Sequence, residues 1–102
     1  MDKLKEIRLL DVSSPDLRYW LDAQINETGD LVLEGYDIGG IVENFWGNDD
    51  YEYWLTVAGE FKDSLLLLLI KDAFDSGHFE NSSGFREWLD KKGVPNDFSS
   101  WT

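Results

Sequence analysis

Few side chains in this sequence are of the kinds that carry out chemistry on their own. His78 is the only histidine and there is no cysteine, so a thiol nucleophile, a Cys-ligated zinc and a disulfide framework are all excluded. A Ser-His-Asp arrangement would have to use His78. Its setting, Asp75-Ser76-Gly77-His78, reads as a link between helices, and no catalytic role is assigned to it. Carboxylates are abundant, and that abundance robs a carboxylate pair of diagnostic value for hydrolysis. Two segments offer the oxygen ligands that calcium prefers, Asn26-Glu27-Thr28-Gly29-Asp30 and Asn48-Asp49-Asp50. Neither has the alternating acids and distal Glu of a calcium loop, and turn formation accounts for both. Gly35, Gly39 and Gly40 lack phosphate-binding spacing. The reading is of a chain with no catalytic, metal-binding or cofactor-binding residues.

Charge and aromatic residues are the more specific features. Twenty-one acidic residues face nine basic ones, a formal charge of −12, which opposes direct contact with phosphate backbones or anionic lipid. The imbalance is concentrated. Between Tyr19 and Phe61 there is no Lys or Arg, while Asp22, Glu27, Asp30, Glu34, Asp37, Glu43, Asp49, Asp50, Glu52 and Glu60 all carry negative charge. The same segment holds Phe45, Trp46, Tyr51, Tyr53 and Trp54, residues that line cores, anchor protein interfaces or stack on sugar rings.

The elements that position these residues follow from periodicity. Tyr19, Leu21, Ala23 and Ile25 alternate with Arg18, Trp20, Asp22 and Gln24, the two-residue period of a strand buried on one face. A turn at residues 26–30, with Gly29 supplying positive φ, predicts a hairpin whose return strand runs from Leu31 to Tyr36. Gly39-Gly40 interrupts the chain. Ile41 to Trp46 reads as a further strand, and Tyr51 to Val57 as the strongest one. If Tyr51, Tyr53 and Leu55 face inward, Glu52 and Trp54 face outward with Glu34 or Asp22. Leu4 to Val12 alternates less cleanly and leaves strand and helix both open. In the second half, five consecutive Leu within Leu65 to Ile70 predict a helix extended by Lys62 and Phe74 and ended near Gly77, one apolar enough to require cover. Asn81-Ser82-Ser83 caps a second helix carrying Phe85, Trp88 and Leu89 on one face, with Lys91 and Lys92 in its last turn and Gly93 as terminator.

The order of strands then helices predicts one α+β domain over residues 1–102, an antiparallel sheet from the N-terminal half with the C-terminal helices packed on one face. The N-terminus lacks a signal-peptide pattern and no apolar run approaches a membrane span, so a cytoplasmic address is expected. Gly29-Asp30-Leu31-Val32-Leu33-Glu34-Gly35-Tyr36-Asp37-Ile38-Gly39, followed by Tyr51-Glu52-Tyr53-Trp54-Leu55-Thr56-Val57, resembles small acidic bacterial proteins and is similar in general form to immunity proteins that neutralise secreted toxins. The resemblance implies a binding role and carries over no catalytic motif. The expected function is a non-enzymatic domain presenting Glu34, Asp37, Asp49, Asp50, Glu52 and Trp54 to a basic protein partner, as an immunity or inhibitor protein. A mimic of nucleic acid, with carboxylates in place of phosphates, is a special case of that reading. A carbohydrate- or small-ligand-binding module using the aromatics is the alternative, and a small hydrolase the third.

Overall fold

The computed structural model describes residues 1–39 and 50–101. Residues Leu4–Lys62 form one compact unit, and Asp63–Thr102 with Met1–Lys3 form a second. The first unit contains a four-stranded sheet, β1 (Glu6–Ser13), β2 (Leu17–Ile25), β3 (Leu31–Gly39) and β4 (Asp50–Val57), in the order β1-β2-β3-β4 with every neighbouring pair antiparallel. The expected segregation of strands and helices, an α+β class, is what the chain adopts. The strand read over Ile41 to Trp46, and with it Phe45, Trp46 and Asp49, lies outside the described residues.

The β2–β3 hairpin closes through the turn chemistry that its sequence carries. The Asn26 side-chain oxygen accepts hydrogen bonds from the Thr28 N–H at 3.1 Å and the Asp30 N–H at 2.9 Å, and Gly29 takes φ +84°. The side chain thus serves turn N–H groups beside the backbone bond from the Gly29 N–H to Asn26 O at 3.0 Å. Asp30 is used as well, its Oδ1 accepting the Gly59 N–H at 2.7 Å, which joins the hairpin turn to the end of β4.

β1 is a strand, and it explains its own untidy pattern. Arg8 pairs with Asp22 while Leu10 pairs with Leu21, so Leu9 is one residue extra in the ladder. Such a bulge breaks the two-residue period, and Ile7, Leu10 and Val12 share a face despite their spacing.

A 3-10 turn at Gly59–Phe61, still within the first unit, leads into α1 (Lys62–Asp75), which continues into the second unit, where α2 spans Ser82–Lys91. Gly77, at φ +80°, donates to Phe74 O at 3.1 Å and ends α1. Leucines at consecutive positions point all round a helix, so Leu66 to Leu69 stay 57–67% exposed although Leu65, Ile70 and Phe74 are half-buried. The aromatic rings gather instead around Phe79, 8% exposed, which touches Phe74, Phe85 and Trp88 with centroids 5.1–5.9 Å apart. α2 is bounded as its sequence predicts. The Asn81 side chain accepts from Gly84 N–H at 3.0 Å. At the other end the Val94 N–H donates to Leu89 O and the Gly93 N–H to Asp90 O, with Gly93 at φ +74°, the paired bonds of a Schellman termination.

Candidate functional site

Residues paired in an antiparallel ladder share a face, so the register sorts the sheet into two surfaces. One carries the rows Ile7–Ala23–Leu33–Leu55, Leu10–Leu21–Gly35–Tyr53 and Val12–Tyr19–Asp37–Tyr51. Apart from Asp37 these rows are uncharged. The other carries Glu6–Gln24–Val32–Thr56, Arg8–Asp22–Glu34–Trp54 and Asp11–Trp20–Tyr36–Glu52. It is the polar face, and it holds the aromatic rings Trp20, Tyr36 and Trp54.

The polar face is divided along its width. On the β1–β2 side, Arg8 Nε donates to Asp22 Oδ1 at 2.8 Å, Nη2 to Asp22 Oδ2 at 3.3 Å, and Nη1 to Asp11 Oδ2 at 3.3 Å. The guanidinium beside it holds the Asp22 carboxyl below the usual carboxylate range, and the Arg8 pKa is raised in return. Trp20 sits between Arg8 and Arg18, whose guanidinium carbons lie 5.7 and 5.1 Å from its ring centroid, and stacks on Tyr36 at 4.7 Å with planes 13° apart. Cation–π attraction and ring stacking together organise this half. Arg8 pairs with both Asp11 and Asp22 and offsets part of their charge.

The β3–β4 side has no cation in its sequence. Glu34 faces Trp54 across the ladder, and Glu52 lies two residues before Trp54 on the same face. All three are exposed, Trp54 at 59%. Of the six residues expected to meet a partner, the structure brings these three together. Asp50 occupies the first pair of β4, opposite Ile38. Asp37 lies on the other face, between Tyr19 and Tyr51 in the register, and its carboxylate helps to raise the Tyr53 pKa, for which burial of the phenol is the larger cause. Asp49 lies outside the described residues.

The cluster of Arg8, Arg18, Trp20, Asp22 and Tyr36 was not singled out from the sequence. The period that places Arg18, Trp20 and Asp22 on one face was visible there, but the contribution of Arg8 required the β1–β2 register. A cavity of about 410 Å³ lies beside it, lined by Glu6, Ile7, Arg8, Asp22, Ala23, Gln24 and Glu34. His78 follows α1 on the surface of the helical unit, its ring 4.7 Å from that of Phe79. Among the described residues, no cluster of His, Asp or Glu is placed to hold a metal ion, and no helix is long and apolar enough to cross a membrane. Compared with known protein families, with curated proteins and with solved structures, the chain matches none.

Proposed function

We propose that this chain is a non-enzymatic protein-binding domain that uses the β3–β4 half of its polar sheet face to hold a basic protein partner, in the manner of an immunity or inhibitor protein. The observation that carries the reading is Trp54. A large aromatic left 59% exposed between Glu34 and Glu52 combines an anchor for an interface core with a charged rim. The carboxylates steer a cationic partner and make association dependent on salt, while burial of the indole supplies the slower-dissociating contact. Arg8 and Arg18 hold the other half of the face close to neutrality, so the unbalanced field is centred on β3 and β4.

Stacking of a sugar or small ligand on the aromatics has less support. Among the described residues, no aromatic side chain lines the cavity on the β1–β2 side, and Trp20 already has Tyr36 and two guanidinium groups against its ring.

The test is binding kinetics with a partner captured from the native host. Glu34→Lys with Glu52→Lys lowers the association rate and flattens its dependence on salt, Trp54→Ala raises the dissociation rate, and His78→Gln changes neither. Unchanged rates for the two lysine replacements would overturn the reading, and loss of biological activity in a folded His78→Gln protein would overturn its non-enzymatic part.

A further inference from the structure

Among the described residues, β4 is an outermost strand of the sheet. β3 pairs with one side of it over eight successive positions, from Leu31↔Val57 to Ile38↔Asp50, without a register shift. Among the described residues no strand pairs with its other side. An edge strand turns alternate N–H and C=O groups outward, and proteins ordinarily blunt such an edge with a bulge, a proline or a lysine. The opposite edge, β1, has the bulge at Leu9. β4, Asp-Tyr-Glu-Tyr-Trp-Leu-Thr-Val, has no bulge, proline or lysine, and the charged side chains it carries, Asp50 and Glu52, are both acidic. Its side chains differ by face, with Glu52 and Trp54 on the polar one and Tyr51, Tyr53 and Leu55 on the apolar one, and Leu55 is as exposed as Trp54.

Resting on the acidic-surface reading above, we propose that the basic partner supplies an extended segment that pairs with β4 as a fifth strand, with arginine or lysine alternating with apolar residues. Charge selects this occupant. Every charged residue of β3 and β4 is acidic, and a second copy of the chain, at −12, would bring carboxylates against carboxylates. A basic segment brings opposite charges across the ladder on the polar face, and its alternate residues cover Leu55 on the other. Main-chain hydrogen bonds then provide affinity and the alternation provides specificity.

The probe is a synthetic peptide of β4's length alternating Arg and Val, followed by fluorescence anisotropy and by amide hydrogen exchange of the full chain. The expected result is binding that slows exchange in β4, weakened by Glu52→Lys and untouched by His78→Gln. Methylating alternate peptide nitrogens preserves side chains and charge but removes the ladder, and is expected to cost about tenfold or more in affinity, the scale of losing one or two net hydrogen bonds. A methylated peptide that binds equally well, or protection that appears away from β4, would overturn strand addition while leaving the acidic surface intact. Failure of the alternating peptide to bind would overturn it too, and host-partner kinetics insensitive to Glu34→Lys and Glu52→Lys would show separately that the surface reading had failed. Self-association of the chain through protected β4 amides would assign the edge to a second copy instead.

Discussion

The ring of Tyr53 on β4 lies over the Cα of Gly35, its register partner on β3, and fills the space that a side chain at position 35 would occupy. Glycine inside a strand is normally unfavourable relative to alanine by about 0.5–1 kcal/mol, so this position runs against intrinsic preference. The ring gives the reason. Gly35 is buried and flanked by Leu21 and Tyr53, and a methyl group there would meet the Tyr53 ring edge and hydroxyl.

Gly35→Ala is therefore expected to destabilise the protein by about 1–3 kcal/mol, the scale of overpacking, measured by urea unfolding. In a Tyr53→Ala background the same substitution becomes neutral or stabilising, because only the strand preference remains. A double-mutant cycle isolates the difference. Additive effects of the two substitutions would show that the ring does not determine the choice of glycine.

The two tryptophans of the polar face should separate stability from binding. Trp20 is stacked on Tyr36 and flanked by Arg8 and Arg18, so Trp20→Ala is expected to lower stability by about 1–3 kcal/mol. Trp54 is largely exposed, and Trp54→Ala should leave stability within about 0.5 kcal/mol of the parent. Thermal unfolding of both variants checks the contrast, and a large loss for Trp54→Ala would mean that the indole is a packing residue.

How far the sequence disclosed this arrangement depended on whether a feature was local. The β2–β3 hairpin and the termini of α2 were legible because their determinants, Asn26, Gly29, Asn81 and Gly93, act on backbone groups within a few residues of themselves. The strand identity of β1 was obscured by its extra residue, whose only sequence trace is the broken period at Leu9 and Leu10. Asp37 is the instructive case. Its parity with Leu31, Leu33 and Gly35 already placed it on the apolar face, yet grouping by charge set it with Glu34 and Glu52. Charge clustering along a chain is therefore weaker evidence for a shared surface than position in the two-residue period. The pairing of Arg8 with Asp22 depended on register between strands and had no local trace.

Gly93 offers a test of the termination of α2. Nothing lies within 4 Å of where its side chain would be, so any cost of substitution comes from its φ of +74° and not from a clash. Gly93→Ala is expected to cost about 1 kcal/mol and Gly93→Asn less, since asparagine tolerates the left-handed region better. Thermal unfolding followed by helical circular dichroism distinguishes them, and equal effects of the two would point to a cause other than backbone conformation.

The last prediction concerns pH. Asp30 titrates below the ordinary carboxylate value, chiefly because its carboxylate accepts the Gly59 N–H, with Thr28 contributing a second hydrogen bond. A carboxyl group with a depressed pKa in the folded chain contributes stability above its unfolded value of about 3.9, and that contribution disappears as pH falls through the folded value. Stability should accordingly decline as the medium is acidified below about pH 5, where protonation first becomes appreciable. Asp22, held down by Arg8, titrates in the same direction, so Asp30→Asn is expected to flatten only part of the slope. The asparagine keeps an oxygen for Gly59 N–H but carries no charge to lose. Combining it with Asp22→Asn should flatten the slope further, as read from denaturant midpoints across the acid range. An acid slope identical in the parent and in Asp30→Asn would show that the link between the hairpin turn and the end of β4 does not depend on the ionised carboxylate.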